Sequence, residues 1–226
     1  MIIEVSHLKK TYLLGQVEVH ALHGVSFNVE KGEFIAVMGK SGSGKSTILR
    51  QLGLIDRPTG GEIKIDDKDV INMRDEERTT FRLNRLGFIF QEYALLPELT
   101  ALENVILPAM MQGRRKLEYK TKGRKLLTAV GLKDRLYHRP KEMSGGEQQR
   151  VAIARALVNN PAILFADEPS ANLDSQSSAL IIKTFQELNK TMGQTIIMVT
   201  HDPDHIEAVD RVIWLKDGKI SPRRTL

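Results

Sequence analysis

Phe34-Ile35-Ala36-Val37-Met38 followed by Gly39-Lys40-Ser41-Gly42-Ser43-Gly44-Lys45-Ser46-Thr47 is the stretch whose reading decides the fold. Five consecutive apolar residues suit a strand buried on both faces, as in a parallel sheet covered by helices. Gly39 to Ser46 then matches the pattern G-x-x-x-x-G-K-[ST]. The glycines permit positive φ and leave the backbone bare, so successive N–H groups can wrap an anion. The following segment, Ser46 to Leu54, reads as a helix, whose N-terminus adds partial positive charge at the same spot. Lys45 is placed to reach the outer phosphates of a nucleotide, and the Ser46 hydroxyl to hold Mg²⁺.

Working outward, Ile2–Val5, Val25–Val29, Glu62–Ile65 and Leu86–Phe90 read as strands, punctuated by turns at Glu30–Glu33, Thr59–Gly61 and Asp66-Asp67. From about Gln91 to Leu157 the pattern becomes helical, as expected of a lobe inserted into a sheet-forming chain. The α/β rhythm returns with a buried strand at Ala162–Ala166 and an amphipathic helix at Ser178–Met192, with Leu180, Ile181, Phe185 and Leu188 on one side. A strand at Thr195–Thr200 follows, then a hairpin from Val212–Leu215 through Asp217-Gly218. We therefore expect one domain over 1–226, with 1–90 and 158–226 forming the core and 91–157 the helical lobe. Alternating apolar strands and helices imply a mostly parallel sheet, with ligands at the carboxyl ends of its strands.

The 226 residues are 41% hydrophobic and 27% charged, enough apolar content for a folded core. The absence of cysteine excludes disulfides, thiolate metal sites and a cysteine nucleophile. Met1 to Val5 lacks the basic start of a signal peptide, and no run approaches the length of a membrane span. The hairpin lies close to the last residue, so no long C-terminal regulatory domain is expected. Net charge is +5, but Gly113 to Lys141 carries eleven Lys and Arg against Glu118 and Asp134, a local +9. Such a run suits anionic lipid or nucleic acid, and equally a solvated helix face.

Two further motifs fall where the sheet topology puts ligands. Ile163 to Ala166 is an apolar strand that ends in Asp167 and Glu168. Asp167 suits Mg²⁺, commonly through water, and Glu168 suits polarisation of an attacking water. Ser144-Gly145-Gly146-Glu147 opens a second helix. Ser144 and Glu147 form a capping box, but two glycines in a first turn cost up to about 1 kcal/mol each relative to Ala. Bare backbone at a helix start is what an anion site uses, which makes this a second such site in one chain.

Together these motifs resemble the ABC transporter ATPase family over essentially the whole chain. Gly39–Thr47 resembles Walker A, Ile163–Glu168 Walker B, and Ser144–Gln148 the family signature. Gln91 is similar to the Q-loop glutamine, Ser170–Asp174 to the D-loop, His201 to the switch histidine and Tyr12 to the aromatic that stacks on adenine. The resemblance implies a P-loop NTPase (RecA-like) parallel-sheet core, an N-terminal antiparallel β subdomain and an inserted helical subdomain. It implies ATP and Mg²⁺ as ligands. Tyr12, Gly39, Lys40, Ser41, Gly42, Ser43, Gly44, Lys45, Ser46 and Thr47 would bind nucleotide, with Ser144, Gly145, Gly146 and Glu147 supplied by a second chain. Ser46, Gln91 and Asp167 would hold the metal, and Glu168, His201 and Gln91 would serve hydrolysis.

The implied partners are a second copy or a paralogous ATPase, in a head-to-tail dimer, and an integral-membrane permease, with no nucleic acid. The implied location is cytoplasmic, peripheral on the inner face of the membrane. Leu96 to Pro108 is similar to the branch containing lipoprotein-release, macrolide-export and cell-division ATPases. That branch implies export, or signalling through a membrane partner without transport. Lys40 stands where the family often has proline, Met143 where it has leucine, and Glu147 where glutamine is more usual. Neither signature change removes a phosphate ligand. Asp174 could equally cap the next helix.

Overall fold

The computed structural model describes residues 1–113 and 115–222. Strands β1 (Ile3–Leu14) and β2 (Val17–Val29) pair antiparallel, from Ile3 opposite Val29 to Leu14 opposite Val17. Both run well past the expected Ile2–Val5 and Val25–Val29. Backbone pairing carries the ladder to a turn at Gly15, where Leu13 and Leu14 are exposed and no buried alternation marks the strand. Strand β3 (Phe34–Met38) is buried throughout and leads through the glycine loop into helix α1 (Lys45–Leu52). Strand β4 (Gly60–Ile65) joins β1 and carries β5 (Lys68–Asp69), completing an antiparallel sheet of order β2-β1-β4-β5.

Helix α2 (Asp75–Arg85) has no counterpart among the sequence expectations. It buries only Arg78 and Phe81, so no apolar stripe announces it. The Arg78 guanidinium donates to the carbonyls of Leu54 and Asp56, at 2.9 and 2.7 Å, and ties α2 to the end of α1. Strand β6 (Leu86–Ile89) follows. Helices α3 (Ala101–Met111), α4 (Lys116–Ala129) and α5 (Gly145–Leu157) pack on one another to form the helical lobe. Strand β7 (Ile163–Asp167), helix α6 (Ser175–Met192) and strands β8 (Thr195–Thr200), β9 (Arg211–Lys216) and β10 (Lys219–Ser221) complete the chain.

Strands β9, β3, β8, β7 and β6 run parallel in that order, with β10 antiparallel at the edge. Because strand side chains alternate, each parallel strand feeds two cores. Ala36, Leu164, Ala166, Ile196 and Met198 pack with the helical lobe and α6. Ile35, Val37, Ile163, Phe165 and Ile197 pack with α1 and the antiparallel sheet. On α6, Ile181 and Phe185 are buried, but Leu180 is exposed, against the expectation that it shares their side. The helix starts three residues before the expected Ser178, because the Asp174 side chain caps it by accepting from the Ser177 N–H at 2.9 Å.

Candidate active site

Helix α1 starts from Gly44 at φ 102°, with no side-chain cap and no acid in its first turn. Its first amides are therefore left for an outside acceptor. The loop before it lies directly on its neighbours. A Cβ on Gly39 would strike the Leu215 carbonyl, and one on Gly44 would come within 2.7 Å of the Ala21 carbonyl. The β9–β10 turn supports the loop from below. Asp217 and Gly218 take φ 47° and 70°, and the Gly218 N–H donates to the Ser43 carbonyl at 3.0 Å.

Lys45 is buried, and its ammonium donates to the carbonyls of Gly39 and Lys40 at 2.9 and 3.1 Å. The Ser46 hydroxyl donates to Asp167 Oδ1 at 3.2 Å. Burial raises the Asp167 pKa and the Glu168 charge adds to it, while the Ser46 bond and the charges of Lys45 and Arg50 oppose. A desolvated carboxylate beside a hydroxyl is the hard oxygen set that suits Mg²⁺. The buried Ser43 hydroxyl has no hydrogen-bond partner, inside a loop whose helix start is uncapped; both features fit a phosphate chain.

Glu168 takes the left-handed conformation, φ 46°, uncommon for a side chain with Cβ. His201, just beyond β8, brings Nδ1 within 2.9 Å of both Glu168 oxygens. A carboxylate accepts, so Nδ1 carries the proton and Nε2 is directed to other partners. Gly39, Lys40, Ser41, Lys45, Glu168 and His201 line one cleft of about 440 Å³. Tyr12 lies beside α1. Burial chiefly raises its pKa, with help from Asp56, while Thr47 and Arg50 oppose. The Lys10 ammonium sits 4.7 Å from its ring centroid and pairs with Asp56 at 3.0 Å.

Gln91 is exposed after β6, and its carbonyl accepts from Asn172 Nδ2 at 3.3 Å. Ser144 to Glu147 contribute nothing to the lining of the cleft. Ser144 caps α5 with a full capping box: its Oγ accepts from the Glu147 N–H at 3.3 Å, and Glu147 Oε2 accepts from the Ser144 N–H at 2.8 Å. The structure also gives the two glycines a packing reason. A Cβ on Gly145 would stand 2.7 Å from the Tyr93 hydroxyl, and one on Gly146 would stand 3.0 Å from the Ser177 hydroxyl.

Three side chains unread in the sequence connect these parts. Arg155, within α5, donates to the carbonyls of Tyr93 and Ala94, the former at 2.8 Å. Those two residues hold φ 58° and 49°, so the arginine fixes a strained turn just after Gln91. Burial lowers the Arg155 pKa. Gln149 is buried and donates to the Pro169 carbonyl at 2.6 Å, joining α5 to the segment after Glu168. Arg135 pairs with Glu147 at 3.0 Å. The only sequence signal was a polar residue on the buried side of α5, and that applies to Gln149 and Arg155 alone. His205 is a buried bridge from Thr200 Oγ1 at 2.9 Å to Ser170 Oγ at 3.4 Å.

Strand, glycine loop, uncapped helix and, one strand removed in the same sheet, a strand ending in two acids define a P-loop nucleotide hydrolase. The chain matches the ABC transporter family over residues 22–171 and belongs to it. It is 47% identical to the lipoprotein-releasing system ATP-binding protein LolD of Syntrophotalea carbinolica, over 97% of this chain and 96% of that protein. It is 45% identical to the macrolide export ATP-binding/permease protein MacB of Syntrophobacter fumaroxidans, over 98% of this chain but 31% of that larger protein. A dimeric ATP-binding cassette in a post-hydrolysis state, bound to ADP and Pi, superposes with a TM-score of 0.90 at 41% identity, covering 97% of this chain and 96% of that one. The chain is accordingly an ATPase that uses ATP with Mg²⁺, the ATP-binding component of a transporter. No helix among the described residues is long and apolar enough to cross a membrane.

Proposed function

We propose that two chains close head to tail on two ATP molecules and that this closure drives a membrane permease exporting a lipoprotein, peptide or drug. The observation that carries this reading is the cleft itself. It gathers Lys45, Glu168 and His201 around one side of a phosphate site, while the signature turn lies outside it. In this scheme Tyr12 stacks on adenine, and the Gly39–Thr47 amides with Lys45 hold the phosphates. Ser46, Asp167 and Gln91 would hold Mg²⁺, which would offset phosphate charge. The Glu168 carboxylate takes a proton from water as its oxygen attacks the γ-phosphorus and the bond to the β-phosphate oxygen breaks. His201 keeps Glu168 aimed through its Nδ1–H; a contact from Nε2 to the γ-phosphate requires that nitrogen to carry a proton as well. The partner's Ser144 to Glu147 complete the site.

The division into a core of 1–90 with 158–226 and a helical subdomain of 91–157 gives the permease a lobe to move. The chain then sits on the cytoplasmic face of the membrane through that permease. The similarity to LolD and to the ATP-binding part of MacB supports export. Glu168→Gln is expected to bind ATP, lose about 10²–10⁴-fold in hydrolysis and run as a dimer on gel filtration with ATP and Mg²⁺. Wild-type turnover in this variant would overturn the role of Glu168, and a monomer at saturating ATP would overturn the head-to-tail closure. Co-expression with a permease encoded beside it should raise ATPase activity in membranes; no stimulation by any such permease counts against transport.

A further inference from the structure

Glu147 places a carboxylate in the first turn of α5, the turn that receives phosphate in the proposed dimer. A bare negative charge there would oppose that ligand. Both of its oxygens are engaged, however. Oε2 accepts from the Ser144 N–H at 2.8 Å, and Oε1 accepts from Arg135 Nε at 3.0 Å. The Ser144 amide chiefly, and Arg135 after it, lower the Glu147 pKa, so the group stays ionised at neutral pH.

Arg135 comes from outside α5, in the short 3₁₀ turn Lys133–Arg135. That turn leads into a segment fixed to the start of α3: the Leu102 N–H donates to the Leu136 carbonyl at 2.9 Å, and the Ala101 N–H to the His138 carbonyl at 2.8 Å. Arg135 Nη1 meets His138 Nε2 at 3.2 Å, and since a guanidinium only donates, that ring nitrogen accepts. Glu147 is mostly covered, at 19% side-chain exposure, against 46% for Arg135. Arg150 also feels the Glu147 charge, from within α5 itself.

We propose that Arg135 is a positioning residue of the signature turn: it holds the Glu147 carboxylate on the Ser144 amide and cancels its charge, so that the turn can take the γ-phosphate of ATP bound to the other copy. This rests on the head-to-tail reading above. The test measures the ATP concentration for half-dimerisation by gel filtration, in the Glu168→Gln parent with Mg²⁺. Arg135→Ala should raise it about tenfold at low salt and less at high salt, as expected of an uncancelled charge near an anion. In the Glu147→Gln background the same Arg135→Ala change should cost less than about twofold, because no carboxylate is left to cancel. Arg135→Lys should stay near the parent.

An Arg135→Ala variant with parental dimerisation overturns the proposal, as does an equal loss in both backgrounds, which would mark Arg135 as a merely structural support. Should Arg135→Ala fold poorly, Arg135→Gln carries the same comparison, with melting temperature measured alongside. A parent that forms no ATP-dependent dimer defeats the head-to-tail reading itself, whichever residue stands at position 135.

Discussion

The chain opens two helices with glycine-rich turns, and the two are finished in opposite ways. Helix α1 starts from Gly44 with no side-chain cap and no acid in its first turn. Helix α5 starts from Ser144 with a complete capping box and Glu147 in its first turn. The first leaves its amides bare and has a lysine folded onto its own loop; the second satisfies part of its end and carries a paired negative charge. An uncapped start needs an anion to complete it, whereas a capped one holds its shape alone and can wait for a ligand from elsewhere. In the proposed dimer the first is the fixed half of a site and the second a preformed face for docking.

The largest expected effect that would break this contrast, after loss of hydrolysis in Glu168→Gln, falls on the uncapped start. Lys45→Ala should weaken ATP binding by about tenfold or more in calorimetric titration, because one charge-assisted partner of the phosphates is lost. The corresponding change in the capped start should act on the fold instead. Ser144→Ala should cost about 1 kcal/mol in urea unfolding, with ATP binding to the isolated monomer unchanged. Monomer affinity that falls with Ser144→Ala would show that the two turns share one site within a chain.

The smallest effect sharpens the difference in charge. The Glu147 pKa lies below its ordinary value in the fold. Its contribution is then present above the unfolded carboxylate pKa, near 4.3, and is lost as pH falls through the lower folded value. Parent and Glu147→Gln should differ by about 0.3–1 kcal/mol at pH 7 and by less at pH 4, since a charge at a helix N-terminus is worth about that much. A gap that does not change with pH would mean the carboxylate acts only through its hydrogen bonds. Helix α1, with no acid in its first turn, should show no matching loss.

The parts legible in the sequence are those in which chemistry is contiguous. Gly39 to Ser46, Ile163 to Glu168 and Ser144 to Glu147 each combine an apolar or helical context with their polar residues inside a few positions. Helix α2 escaped because it buries one apolar side chain, and the ends of β1 and β2 nearest Gly15 because they are held by backbone pairing while Leu13, Leu14, Val17 and Val19 are exposed. The glycines of the signature turn read as bare backbone for a ligand. Their closeness to Tyr93 and Ser177 appears only once α5, α6 and the turn after β6 are packed together.

Sequence alone determined that a strand, a glycine loop and a helix would make a phosphate site, because each depends on neighbours a few residues away. It also set out the acids and histidine proposed to serve such a site. Only the tertiary structure decided that Glu168 and His201 meet, that Arg155 clamps the turn after Gln91 and that Arg135 answers Glu147. Those contacts join residues separated by 33, 62 and 12 positions, and they follow from where the sheet and lobe set each side chain rather than from any spacing along the chain.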